Sequence, residues 1–220
     1  MFDEMVRVVS ISPTTFSLSV ILEAADVVLS GGLVVYPTDT VYGLGANPLD
    51  VKAVKKALLA KKRVGKPMPV LVSSIKAAEI LVYVNSLALK LMQFFWPGPL
   101  TIVLPKKPYV PNEVTAGMFS LGVRMPNHLV AIKLADFCGG FILGTSANVS
   151  GRKSPKTAGE ALRQLGDAVD LIIDAGRCPI GVPSTVIDLT GSTPIIVREG
   201  AVRAEEIENV IGVKVVKKRG

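Results

Sequence analysis

The chain has 220 residues, 49% of them hydrophobic, with 25 Lys and Arg against 18 Asp and Glu, two cysteines and one histidine. That length supports one large domain or two small ones with a sizeable core. The cysteines, Cys138 and Cys178, lack CxxC or Cys/His spacing, which argues against a metal cage or a disulfide framework and fits a cytoplasmic protein. A lone His128 excludes chemistry that needs a histidine pair.

No apolar run reaches membrane-spanning length, and residues 1–12 lack the basic start and cleavage site of a signal peptide. The formal charge of +7 implies an anionic partner, either nucleic acid or a phosphorylated small molecule. Part of that charge sits in the tail, at Lys214, Lys217, Lys218 and Arg219. The rest lies in small groups at loop positions, an arrangement that suits a pocket better than a duplex-binding stripe. Aromatic content of 5%, not interleaved with cations, argues against a single-strand stacking platform.

Leu18, Ile21, Leu22, Ala25, Val28 and Leu29 recur at helical spacing up to Gly31-Gly32. A strand, Leu33–Tyr36, runs into Pro37-Thr38-Asp39-Thr40, where side-chain oxygens sit at a sheet's carboxyl edge, the place open α/β sheets bind ligands. Asp50 caps a helix with Val51, Val54, Ala57 and Leu58 on its apolar side, which ends in the basic turn Lys61–Lys66. Val70–Val72 reads as a buried strand, Ser74 caps the helix Ile75–Val82, and a helix over Ser86–Phe95 stops at Trp96-Pro97-Gly98-Pro99. Further strands are expected at Leu100–Leu104, Leu121–Arg124, Phe141–Gly144, Leu171–Asp174, Thr185–Leu189 and Ile195–Val197. Helices are expected at His128–Phe137, where His128 serves the helix start, and at Thr157–Leu165 and Ala204–Ile211. The Gly191-Ser192 turn makes a hairpin of the last two strands, so the sheet is mixed. Such short alternation indicates one α/β domain over residues 1–212, with 213–220 as a basic tail.

The turn Lys61-Lys62-Arg63-Val64-Gly65-Lys66-Pro67 combines point charges with a planar fork, a pairing suited to triphosphate oxygens. The bland alternative is cations complementing a helix dipole. Ser120-Leu121-Gly122-Val123-Arg124 ends an apolar strand on a lone Arg, which points to a carboxylate or phosphate, or else to a structural salt bridge. Gly144-Thr145-Ser146-Ala147-Asn148-Val149-Ser150-Gly151 follows a buried strand with small polar residues that permit close backbone approach, and Arg152, Lys153 and Ser154 come next. GxSxG, GxxxxGK[ST] and GxGxxG are all absent. Pro183-Ser184-Thr185 and Val197-Arg198-Glu199 complete the polar loops.

In this order, YPTDTVYGLGANP, Lys61-x-Arg63, WPGPLTIVL, GVRMP, TSANVSG, PSTVIDLT and VREGAV resemble the YrdC-like family of threonylcarbamoyl-AMP synthases, from about Phe16 to Ile211. The resemblance implies a single-domain α/β fold, with a twisted mixed sheet flanked by helices around a concave basic cavity. It implies that L-threonine, bicarbonate and ATP give threonylcarbamoyl-AMP and pyrophosphate, the first step of N6-threonylcarbamoyl modification of adenosine 37 in tRNA. Mg²⁺ is expected with ATP, held mainly by phosphate oxygens, with no dedicated protein metal site. The product would pass to a tRNA threonylcarbamoyl-transferase complex, and a tRNA or double-stranded RNA contact is compatible with the charge.

By the same resemblance, Lys61 and Arg63 hold the triphosphate, and Lys66, Ser120, Ser154 and Arg198 contact ATP. Ser146 and Asn148 lie at the reaction centre, with Ser146 also toward ATP. Thr38, Arg124 and Ser184 receive L-threonine, with the carboxylate on Arg124. The chain departs from the pattern twice. The loop from Arg63 to Lys66 is one residue short, and Leu71 stands where many two-domain members carry a threonine-contacting His. A different class, an RNA-binding or ribosome-associated protein without synthase activity, is the alternative, separated by whether ATP is consumed. Related carbamoyl-adenylate chemistry in hydrogenase-maturation proteins belongs to longer chains with zinc-finger and acylphosphatase segments.

Overall fold

The computed structural model describes residues 6–217. In chain order its elements are β1 (Arg7–Ser10), α1 (Leu18–Leu29), β2 (Val34–Tyr36), β3 (Gly43–Gly45), α2 (Val51–Ala60), β4 (Val70–Val72), α3 (Ile75–Leu81) and α4 (Ser86–Phe95). They continue with β5 (Leu100–Pro105), α5 (Asn112–Thr115), β6 (Ser120–Arg124), α6 (Leu129–Phe137), β7 (Phe141–Leu143), β8 (Thr145–Ser146) and α7 (Ala158–Leu165). After a 3₁₀ turn at Gly166–Ala168 come β9 (Leu171–Asp174), β10 (Thr185–Asp188), β11 (Ile195–Arg198), α8 (Ala204–Ile211) and β12 (Val216–Lys217).

The expected helix starts hold where a side chain can reach the free N–H groups. Asp50 accepts from Lys52 N and Ser74 from Ala77 N, and Asn85 and Thr157 do the same for α4 and α7. His128 stands at the start of α6 as expected but makes no side-chain cap bond. The hairpin at Gly191-Ser192 is present, with β10 and β11 antiparallel and a register shift at Val186/Ile187.

One irregular sheet was expected, and the structure has two mixed sheets instead. Five strands run in the order β1-β9-β2-β3-β8, and seven in the order β12-β11-β10-β5-β6-β4-β7. The chain passes from the seven-stranded to the five-stranded sheet at Gly144, between β7 and β8. A Cβ there would lie 2.4 Å from Leu71 Cγ and 3.1 Å from Leu71 N, so only glycine lets the crossing hug β4. Gly144→Ala is therefore expected to cost about 1–3 kcal/mol. For a chain of this size that lowers the melting temperature by about 2–4 °C per kcal/mol. An unchanged melting temperature would mean that this junction yields freely.

Two cores result. One packs α1 against α6 over the five-stranded sheet, with Ile21, Ala25, Val28, Val130, Leu134, Val34 and Ile173 buried. The other lies under α2, α3, α4 and α8, with Val54, Leu81, Leu91, Ile102, Val123 and Ile207 buried. Burying each of these Val, Leu and Ile side chains contributes about 1.5–3 kcal/mol relative to exposure. The expected tail is partly structured: Val216–Lys217 pairs in parallel with β11, and Lys214 and Lys217 meet Glu208 and Glu199 at 2.7 Å each. Lys218 and Arg219 lie outside the described residues. Among the described residues no helix is long and apolar enough to cross a membrane.

Candidate active site

The two sheets leave an open cavity between them. The five-stranded sheet and its loops contribute Thr40, Val41, Thr145 and Ser146. The seven-stranded sheet contributes Leu71, Thr101, Arg124 and Arg198, and loops bring Arg63, Ser154 and Ser184. Three guanidiniums, Arg63, Arg124 and Arg198, thus share one wall system that carries no carboxylate among its lining residues.

Each guanidinium is held differently. Arg63 donates from Nε to Lys66 O at 3.1 Å and from Nη2 to Pro67 O at 2.6 Å, which pins the short loop after α2. Arg198, at the end of β11, donates to Ser184 O at 2.8 Å and Ser184 Oγ at 3.2 Å. Ser184 Oγ in turn shares a 2.8 Å hydrogen bond with Thr101 Oγ1. Burial lowers the pKa of Arg198, and repulsion from Arg124 and Arg63 lowers it further, so an anion placed among the three relieves like-charge repulsion. Arg124, at the end of β6, is buried. It donates from Nε to Gly98 O at 2.9 Å, from Nη1 to Thr40 Oγ1 at 2.8 Å, and from Nη2 to Asp39 Oδ1 in an ion pair.

Of the residues expected from the sequence, Arg63, Arg124, Ser146, Ser154, Ser184 and Arg198 come together on the cavity wall. The other five do not line it. Thr38 Oγ1 is occupied within its own turn, donating to Val41 O at 2.7 Å and accepting from Thr40 N and Val41 N. Thr40, two residues on, faces the cavity in its place. Ser120 is buried at the opposite end of β6 from Arg124, about 13 Å away along an extended strand. Lys66 is exposed, and its carbonyl serves Arg63. Asn148 Nδ2 donates to Val149 O at 2.9 Å and Arg152 O at 2.8 Å, capping its own turn beneath the wall.

Lys61 departs furthest from the solvent-side cation its setting suggests. It is 0% exposed, and its Nζ donates to Ser146 O and, at 2.9 Å, to Asn148 O. Its own carbonyl accepts from Ser150 N at 2.8 Å, so Lys61 ties the end of α2 to the loop after β8. Burial, with Arg63 nearby, pushes its pKa down to about 7. Two carbonyl acceptors satisfy a neutral amine as well as an ammonium, so the clamp survives loss of the proton. The Ser146 hydroxyl, by contrast, has no partner among the described residues and faces the cavity.

Sequence reasoning singled out the loops that carry Asp39, Thr40 and Thr145 without giving these three residues a role, and it missed Thr101. Thr101 carried a signal, being the one hydroxyl in the apolar run Leu100–Leu104. Leu71 lies beside Arg124 in register on β4 and lines the cavity, so the departure noted there falls at the site itself. Burial pushes Cys178 up to about 11 and Cys138 up to about 12, which leaves neither as a thiolate nucleophile near neutrality.

The chain matches the family model Sua5_yciO_yrdC, described as telomere recombination, over residues 26–200. It is 44% identical over 191 residues to the threonylcarbamoyl-AMP synthase of Pyrococcus abyssi, covering 86% of this chain but 56% of that protein. With a putative threonylcarbamoyl-AMP synthase of Mycobacterium tuberculosis it shares 42% identity over 196 residues, covering 88% and 89% of the two chains. The crystal structure of P. abyssi Sua5 complexed with L-threonine superposes with a TM-score of 0.90 at 41% identity, over 96% of this chain and 62% of that one. The chain thus spans just over half of the longer archaeal relative and nearly all of the mycobacterial one. With the family model matched over most of its length and the fold shared with P. abyssi Sua5, the chain belongs to the Sua5/YciO/YrdC family.

Proposed function

We propose that this chain condenses L-threonine, bicarbonate and ATP to threonylcarbamoyl-AMP and pyrophosphate, opening the route to N6-threonylcarbamoyladenosine at position 37 of tRNA. The observation that carries this reading is the convergence of Arg63, Arg124 and Arg198 with Ser146, Ser184 and Thr101 on one cavity. A related protein carries L-threonine in its crystal structure, which supports the amino acid as substrate.

The chemistry asks for positioning and charge stabilisation more than for a protein nucleophile. The threonine amine attacks bicarbonate carbon, water leaves, and a carbamate forms. A carbamate oxygen, already anionic, attacks the α-phosphorus, and the bond from that phosphorus to the bridging oxygen breaks to release pyrophosphate. Arg124 receives the amino-acid carboxylate, with Ser184 and Thr40 beside it. Arg63 and Arg198 balance the triphosphate, and the Ser146 hydroxyl is free to donate as charge builds on the α-phosphate. Mg²⁺ comes with ATP on triphosphate oxygens, since the lining supplies hydroxyls and guanidiniums rather than carboxylates. The cavity walls limit access of water to a labile adenylate, which then passes to a transferase acting on tRNA.

The test is incubation with ATP, L-threonine, bicarbonate and Mg²⁺, followed by detection of pyrophosphate and the threonylcarbamoyl adenylate. Omitting any one substrate should abolish both. Salt-sensitive RNA binding with no ATP turnover would favour the non-enzymatic alternative instead. Within the same assay, Arg124→Lys is expected to raise the threonine KM about tenfold, equivalent to 1.4 kcal/mol, with a smaller change for ATP, because a point charge cannot replace the fork. Equal effects on both substrates would move Arg124 to the nucleotide side.

A further inference from the structure

The three guanidiniums that face the cavity do not bring equal charge to it. Arg63 donates to the carbonyls of Lys66 and Pro67, and Arg198 to the carbonyl and hydroxyl of Ser184. Those acceptors are neutral, so each of these arginines presents a whole positive charge. Among the described residues Arg124 alone of the three has a carboxylate partner, Asp39. Asp39 is 2% exposed, and its Oδ2 accepts no hydrogen bond among the described residues, so its charge is answered chiefly by Arg124. Asp39 does not line the cavity, whereas Arg124 and Thr40 do, so the carboxylate reaches a ligand only through Arg124.

A contacting carboxylate offsets part of the charge that Arg124 shows a ligand, although Arg124 still repels Arg198, and it leaves the remaining hydrogen-bonding capacity intact. Of the five N–H donors on Arg124, three are spent on Gly98 O, Thr40 Oγ1 and Asp39 Oδ1. Two remain for a ligand. Such a group still recognises one carboxylate by hydrogen bonds. For a polyphosphate, whose binding follows summed charge, it competes poorly with Arg63 and Arg198.

We propose that Asp39 is a specificity-determining residue that sorts the two anions of the reaction, steering polyphosphate to Arg63 and Arg198 and reserving Arg124 for the amino-acid carboxylate. The inference rests on the assignment of L-threonine to Arg124 made above. It concerns a residue that never touches substrate, and it requires that both anions occupy the cavity without displacing one another.

Calorimetry with L-threonine alone and pyrophosphate alone tests this without turnover. In the wild-type protein, saturating pyrophosphate should leave the affinity for L-threonine unchanged. Asp39→Asn keeps the shape and an acceptor for Arg124 but removes the charge. It should bind pyrophosphate about tenfold more tightly, with pyrophosphate now displacing L-threonine. Competition already present in the wild type would overturn the proposal whether or not the variant folds. A folded D39N with unchanged pyrophosphate affinity and no competition would overturn it equally. A wild type that binds both ligands independently yet forms no adenylate would sink the proposed reaction and leave the sorting role standing.

Discussion

Lys61→Met is expected to lose most pyrophosphate release and to melt earlier than the wild type. Methionine keeps the length and apolar packing of the stem but offers no donor to Ser146 O and Asn148 O, which Lys61 Nζ serves from a fully buried position. Ser146 O keeps a second donor, Asn148 N at 2.9 Å, whereas Asn148 O is left unpaired at a cost of about 1–3 kcal/mol, offset in part because an ammonium is no longer desolvated. A net loss of about 1 kcal/mol corresponds to about 2–4 °C in melting temperature for a chain of this size. Turnover falls further, at least about tenfold, because the loop that aims the Ser146 hydroxyl loses its anchor. The pH dependence separates this role from a contact with substrate. Burial pushes the Lys61 pKa to about 7, below its ordinary 10.5. Between those values the unfolded chain holds a proton that the folded chain has released, so wild-type stability rises with pH across that window. Below pH 7 the proton stays on in the folded state and its burial cost is fully present. K61M lacks this titration, so the stability gap between the two proteins should widen from pH 6 to pH 9. Lost turnover with an unchanged melting temperature and a pH-independent gap would instead place Lys61 on the triphosphate.

What could be read in the sequence was whatever depends on near neighbours. Asp50 and Ser74 cap helices because each precedes an apolar helical pattern, and the apolar runs at Val70–Val72 and Leu171–Asp174 are strands as their composition suggests. The residues Arg124, Ser146, Ser184 and Arg198 reach the cavity because each sits at or beside a strand's end, and Arg63 and Ser154 reach it from the loops between elements. What stayed hidden depends on partners far along the chain. Lys61 reads as one more cation of a basic turn, and only the carbonyls of Ser146 and Asn148 make its burial tolerable. Thr38 and Thr40 are equivalent in sequence, yet the turn consumes one hydroxyl and presents the other. β3 escaped notice because two of its three residues are glycines. Its structural reason is the ring of Tyr36, which a Cβ on Gly43 would approach to 2.9 Å. Asp39 read as one oxygen-bearing residue of a ligand-edge loop, and its partner appears only once β6 delivers Arg124 to it.

Ser146 and Asn148 look alike in the sequence, and their variants should now part company. The Ser146 hydroxyl faces the cavity with no protein partner among the described residues, so Ser146→Ala removes nothing that holds the fold. Its melting temperature should match the wild type, since substitutions that strand no buried group stay within about 0.5 kcal/mol. Turnover should fall by about 10²–10³, the loss seen when one fixed donor is removed from a site where charge develops. Asn148 holds the turn itself through Val149 O and Arg152 O. Val149 O keeps a second donor, Arg152 N at 3.0 Å, whereas Arg152 O loses its side-chain partner in Asn148→Ala. That should cost about 1–2 kcal/mol and lower the melting temperature. Its turnover at a temperature where the variant is folded should exceed that of S146A, because the free hydroxyl is still present. Measuring melting temperature and pyrophosphate release side by side decides the point. If S146A keeps near-normal release, the hydroxyl has no part in the chemistry. If N148A melts like the wild type but turns over no better than S146A, the amide reaches the reacting atoms after all.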